Sequence, residues 1–196
     1  TPHSLHAWAI WWGRYRWPLP GELAECIKTG RNSRQRGGQW SGRACRDGDA
    51  KAAAVFNRSM VELTRLAASE VMRVRDFSAV KRVVDVGGGL GEMLCGLLNA
   101  HPQMQGTLFD LPSAIAGAAE HLARAGVAER CERVAGSFFE SVPRGADLYL
   151  LKSVLHSWDD EQCRRILQNC GDAMVEGARL LLVERILPPC MLGGAG

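Results

Sequence analysis

Nowhere in this chain of 196 residues do two cysteines stand three positions apart. The seven present (Cys26, Cys45, Cys95, Cys131, Cys163, Cys170 and Cys190) are odd in number and scattered. That encourages neither a disulfide framework nor a zinc site, and they read as reduced core filler. His, Asp and Glu are likewise missing from any cluster at metal-ligand spacing, so no metal is expected. No uninterrupted apolar run approaches the roughly 18 residues needed to span a bilayer, so no membrane helix is expected. The N-terminus also lacks the charged, apolar and small layout of a signal peptide, and a cytoplasmic location follows by default. Acids are scarce only in the first quarter: residues 1–50 hold eight Lys/Arg against four acids, and residues 51–196 hold sixteen against seventeen. Arg31, Arg34, Arg36, Arg43 and Arg46 near Trp40 could form an RNA-binding arm, but no stacking-platform motif accompanies them, and no nucleic-acid partner is expected. The stretch 31–48 has no aliphatic side chain larger than Ala44 and cannot make an amphipathic helix or a strand, so a poorly packed loop is expected there.

What the chain does have is a regular alternation of short aliphatic runs and amphipathic stretches from residue 81 onward. This predicts an α/β fold, a Rossmann-like, doubly wound, mainly parallel sheet with helices on both faces. Five strands are expected, at 82–86, 105–110, 131–135, 146–152 and 178–187. Leu90, Leu94, Leu97 and Leu98 make one helix face, Ile115, Ala118, Ala119 and Leu122 another, and Cys163, Ile166, Leu167, Cys170 and Met174 a third. Asp159 followed by Gln162 announces that third helix as a capping box. Ahead of the sheet, residues 50–75 read as one helix. Trp8, Trp11, Trp12 and Trp17 are too many aromatics for a solvated tail; they should bury against something, and a partner subunit, hence a homodimer, is the expected surface.

The most informative stretch is Val83-Val84-Asp85-Val86-Gly87-Gly88-Gly89-Leu90-Gly91, a strand emptying into a glycine-rich turn and a helix. Its spacing is D-x-G-x-G-x-G. The dinucleotide fingerprint would need a glycine at Glu92, which disfavours a nicotinamide-dependent oxidoreductase and makes the S-adenosylmethionine loop the better match. A tight strand-to-helix turn without ligand is the bland alternative. Against it stands Gln105-Gly106-Thr107-Leu108-Phe109-Asp110, a second strand ending in an acid about twenty residues on, where a ribose-binding carboxylate belongs. Asp110 could instead simply cap the helix that Leu111-Pro112 opens. Gly136-Ser137-Phe138-Phe139 follows the third strand, and Leu151-Lys152-Ser153-Val154-Leu155-His156-Ser157-Trp158 the fourth. All of these sit at carboxyl strand ends, the ligand edge of an open parallel sheet.

These blocks, with Val55-Phe56-Asn57, Met60 and Asp76-Phe77-Ser78, resemble in order and content the plant- and bacterial-type small-molecule O-methyltransferases that include the caffeic acid and hydroxyindole enzymes. The likeness covers residues 50–189. It implies S-adenosyl-L-methionine as cofactor and a hydroxylated aromatic or polyketide-like small molecule as acceptor. It implies that Asp85, Gly87, Gly88, Gly89, Asp110, Ser137, Phe138 and Lys152 bind the cofactor, that His156 is the general base, and that Phe56, Met60 and Trp158 line the acceptor pocket. Residues 1–75 would be the remnant of a helical dimerisation region, and 76–196 a methyltransferase domain cut short at its C-terminal end. The family continues beyond the strand ending near Leu187, and the expectation is that this further part supplies the acid that orients the histidine. A disturbed reading frame or a truncated gene would account for both ends. The alternative is then a catalytically inactive cofactor-binding or dimerising fragment.

Overall fold

The computed structural model describes residues 4–16, 23–30 and 50–186. The expected loop at 31–48, Trp17 and the last residues from 187 lie outside them. The chain divides into two compact units, residues 1–73 and 74–196. In the first, helix α1 (His6–Ile10) runs on through the π-type turns of Trp11–Arg16, followed by α2 (Leu23–Thr29) and the long α3 (Ala50–Val74). The N-cap residue of α1, Leu5, offers no side-chain cap. Glu62 of α3 supplies one, its two carboxylate oxygens accepting from the amides of Ala7 (3.1 Å) and Trp8 (3.0 Å), which satisfies donors that a helix N-terminus leaves open. The tryptophans divide. Trp11 is buried, stacked on Tyr15 and edge-on to Phe56 with centroids 5.0 Å apart, so its shelter comes from this chain rather than from a partner. Trp12 stays 44% exposed.

The second unit is a five-stranded sheet in the order β3-β2-β1-β4-β5, with every neighbouring pair parallel. Its strands are β1 (Arg82–Val86), β2 (Gln105–Asp110), β3 (Cys131–Ala135), β4 (Leu148–Lys152) and β5 (Arg179–Val183). Between them run α4 (Glu92–Ala100), the short α5 (Pro112–Ile115) and α6 (Ala118–Arg124), and α7 (Asp160–Ala173). One face of the sheet (Val84, Val86, Phe109, Tyr149, Leu151) packs under Ile166, Cys170 and Ala173 of α7. On the other, Leu94, Leu97 and Leu98 of α4 and Leu122 of α6 are fully buried. The expected helix face at 115–122 is broken between α5 and α6, and Ala119 is exposed. The capping box at α7 forms: Asp159 Oδ1 accepts from the Gln162 amide at 2.8 Å, and the Gln162 side chain accepts from the Asp159 amide. Cys95, Cys131 and Cys170 are buried free thiols, and burial pushes them up to about 12, 11 and 11. No helix among the described residues is long and apolar enough to cross a membrane.

The strand expectations hold for β1, β2 and β3 to the residue, and differ at the two later strands. β4 starts at Leu148 because Asp147 turns back to the chain: its Oδ2 accepts from the amides of Lys81 and Arg82, both at 2.8 Å. β5 stops at Val183, four residues before the expected end. The aliphatic pattern through Ile186 ran past the point where pairing with β4 ends, at Lys152 opposite Val183.

Candidate active site

The carboxyl ends of β1, β2, β3 and β4 converge on one edge of the second unit. The turn after β1 is forced into glycine at two positions. Gly87 has a φ of +74°, and a Cβ there would come within 2.9 Å of Val154 Cγ2 and 3.5 Å of the Phe138 ring. Gly88 has ordinary dihedrals, but its Cβ would fall 2.5 Å from Leu108 and 2.6 Å from the carboxyl carbon of Asp85. Any side chain would therefore dislodge the two residues that floor the loop. From Gly89, the amide donates to Asp110 Oδ2 at 2.9 Å, tying the tip of β2 to the loop. The other Asp110 oxygen accepts from the Leu111 amide at 2.7 Å. Leu111 is the N-cap of α5, which has no side-chain cap, so the capping role weighed for Asp110 is not the one it takes.

Two ionisable groups at this edge are withdrawn from water, Asp85 wholly and Lys152 in part. Asp85 is 2% exposed and its Oδ2 accepts no hydrogen bond among the described residues. Burial first, and then the nearby Asp110, push its carboxyl up to about 7 against the opposing effect of Lys152. Lys152, at the tip of β4, is pulled below the usual ammonium range by burial, with Asp85 and Glu184 opposing the shift. Ser137 Oγ accepts from the Phe139 amide at 3.3 Å. Phe138, Phe139 and Trp158 meet edge to face, with centroids between 4.7 and 5.9 Å, and make one aromatic wall whose first ring also abuts Gly87.

His156 sits in a single 3₁₀ turn (Leu155–Ser157) after β4, its side chain 59% exposed. Its Nδ1 lies 2.8 Å from Glu184 Oε2, while Glu184 Oε1 accepts from the Leu155 amide at 2.9 Å. A carboxylate can only accept, so Nδ1 carries a proton, and in the neutral imidazole Nε2 is then the nitrogen with the lone pair. The acid expected from sequence beyond Leu187 lies outside the described residues; within them Glu184, directly after β5, holds the ring. Sequence reasoning missed it because the fifth strand was run through to 187, which made Glu184 a mid-strand residue. The available signal was an acid immediately after four aliphatic residues, Leu180 to Val183.

The structure thus brings together Asp85, Gly87, Gly88, Gly89, Asp110, Ser137, Phe138, Lys152, His156 and Trp158. Phe56 and Met60 belong to α3 of the first unit, where Phe56 packs on Trp11. Among the described residues no three His, Cys, Asp or Glu side chains gather as metal ligands would. A cavity of about 530 Å³ opens on the opposite, amino edge of the sheet, lined by Arg82, Gln105, Thr107, Glu129, Arg130 and Arg144 among others. It is far from this chemistry. Its charges are mixed, and Arg130 is already spent on the carbonyls of His101 and Met104.

Residues 21–191 match the model of a family described as an O-methyltransferase domain. The chain is 36% identical over 96% of its length to a phenazine O-methyltransferase of Lysobacter antibioticus, covering 55% of that protein. It is 37% identical over 88% of its length to a mitomycin biosynthesis 6-O-methyltransferase of Streptomyces lavendulae, covering 50% of it. Among solved structures, human N-acetylserotonin methyltransferase in complex with S-adenosylmethionine superposes with a TM-score of 0.86 at 25% identity, over 100% of this chain and 56% of that one. An O-methyltransferase of neocarzinostatin biosynthesis, bound to S-adenosylmethionine and 2-hydroxy-5-methyl naphthoic acid, gives 0.78 at 34% identity, over 88% of this chain and 53% of that one. The chain spans about half the length of the relatives it matches.

Proposed function

Because the chain belongs to the O-methyltransferase domain family, we propose that its carboxyl-edge cleft binds S-adenosyl-L-methionine and serves methyl transfer to a hydroxyl of a small aromatic or natural-product acceptor. The observation that carries this reading is the His156–Glu184 pair, an imidazole with one nitrogen fixed by a carboxylate and the other left to accept a proton.

The residues fit the cofactor on physical grounds. A loop whose glycines leave no room for side chains borders a buried carboxyl with an unmatched oxygen, a hydrogen-bonded acid at the β2 tip and an aromatic wall. When bound, the cofactor supplies an electrophilic methyl group on a positively charged sulfur. In this reading Asp110 receives the ribose hydroxyls, Phe138 flanks the adenine with Ser137 and Lys152 near it, and Asp85 floors the glycine turn as a counter-charge. His156 Nε2 takes the proton from the acceptor hydroxyl as the oxygen attacks, and Glu184 stabilises the resulting imidazolium. A phenol, with a pKa near 10, is a poor nucleophile at neutral pH, so this proton transfer is where a side chain can help most. The rest of the acceleration comes from holding acceptor and methyl group in line. Trp158 is assigned to the acceptor pocket.

One second reading is binding of the cofactor without turnover. Calorimetric titration with S-adenosylhomocysteine, followed by methylation assays on phenolic acceptors, separates the two. Binding with His156-dependent turnover is the expected result. Binding with no product from any acceptor would favour the second reading, and no binding by a folded chain would remove both. The exposed Leu5, Ile10 and Trp12 of the first unit support a homodimer, which sedimentation showing only monomer at high concentration would contradict.

A further inference from the structure

Ser153 is the one non-glycine residue among those described with a positive φ, 58°. The left-handed region crowds any Cβ against the neighbouring carbonyl, so an ordinary side chain persists there only when its surroundings enforce it. Ser153 occupies the step between Lys152, the last residue of β4, and the turn that carries His156. Its amide donates to the Val183 carbonyl at 3.0 Å, which locks the end of β4 to the residue immediately before Glu184. Its hydroxyl makes no hydrogen bond among the described residues, so the backbone conformation, rather than the side chain, is what this position contributes.

The reversal at Ser153 has three visible results. Val154 turns inward, 6% exposed, with its Cγ2 where it would touch a Cβ on Gly87. The Leu155 amide and His156 Nδ1 both come to face one carboxylate, taking separate oxygens of Glu184. And Lys152, half-buried, stays within electrostatic reach of both Asp85 and Glu184. A strand continuing through 153 in extended conformation would carry the chain along the sheet and away from Glu184.

We propose that Ser153 is a positioning residue whose left-handed backbone sets the His156 ring on Glu184 and, through Val154, couples that setting to the glycine turn. The inference rests on reading His156 as the base, but its first readout does not depend on that role. In the full chain labelled with ¹⁵N-histidine, the His156 ring should show the tautomer with Nδ1 protonated. Ser153→Val, β-branched and poorly suited to positive φ, should shift the ring toward the other tautomer, as Glu184→Gln should. Ser153→Gly, which adopts the conformation freely, and Ser153→Ala, which lacks only the hydroxyl, should both retain the native tautomer. In turnover, Ser153→Val should lower kcat about 10-fold or more, while its affinity for S-adenosylhomocysteine, held by Gly89 and Asp110, stays within about 3-fold. A native tautomer in Ser153→Val would overturn the proposal. So would a displaced one in Ser153→Gly or Ser153→Ala, which keeps the test decisive should the valine variant fail to fold. Full turnover by His156→Ala would instead remove the base assignment and leave the tautomer result standing.

Discussion

The two edges of one sheet are built on opposite rules. At the amino edge polar groups are matched to the main chain: Asp147 takes the amides of Lys81 and Arg82, and Arg130 takes two carbonyls. At the carboxyl edge, a few residues along the same strands, Asp85 is buried with an oxygen unmatched among the described residues, Lys152 is half-buried within its electrostatic reach, Ser153 is held in a left-handed turn and His156 keeps one nitrogen open. The first edge spends its polar atoms on stability. The second leaves Asp85 Oδ2 unmatched among the described residues and holds Ser153 in a strained conformation, features that cluster at functional sites.

The comparison breaks first at His156. Replacing it with alanine should cost about 10² to 10⁴-fold in kcat, the range of general-base help, with little change in S-adenosylhomocysteine affinity. Equal loss of both in a binding assay would make the residue structural.

Asp85 gives the next largest effect, in stability. Its folded-state value is raised from 3.8 to about 7, so the folded chain holds a proton that the unfolded chain releases. The stability this proton contributes is full below about pH 4 and is lost as pH rises through 7, on the order of 4 kcal/mol at the limit. Asp85→Asn does not titrate. Relative to wild type it should therefore gain stability between pH 4 and pH 8, read from urea unfolding at each pH. Parallel curves for the two proteins would contradict the buried, unmatched carboxyl.

Asp110→Ala should weaken S-adenosylhomocysteine binding by about 10 to 10²-fold, the worth of charge-assisted hydrogen bonds, in calorimetry. Asp147→Ala sharpens the contrast from the other edge. It should cost about 1 to 3 kcal/mol of stability and leave cofactor affinity unchanged, which unfolding and titration together will show.

The sheet was readable because its strands are short apolar runs whose ends are marked by glycine or acid: β1, β2 and β3 fall where the residues put them. β5 was overrun because Val183-Glu184-Arg185-Ile186 keeps enough apolar content to extend a strand, and what ends it is the register with β4, a property of two segments rather than one. That overrun also hid Glu184, whose role depends on a residue 28 positions earlier. Glycine needs were legible in kind but not in cause. Gly87 follows from its turn, whereas Gly88 is required by Asp85 and Leu108 packing beneath it, which no spacing announces. The left-handed Ser153 left no trace in the sequence, since serine carries no signal for positive φ.

Every cofactor assignment proposed above requires that the carboxyl edge be the binding edge. The most direct test is titration of the ¹⁵N-labelled chain with S-adenosylhomocysteine, following amide shifts residue by residue. Saturable shifts at Gly87, Gly88, Gly89, Asp110 and Phe138, with Arg82, Gln105 and Arg144 undisturbed, are the predicted result. Shifts confined to the amino edge, or none in a folded chain, would contradict it.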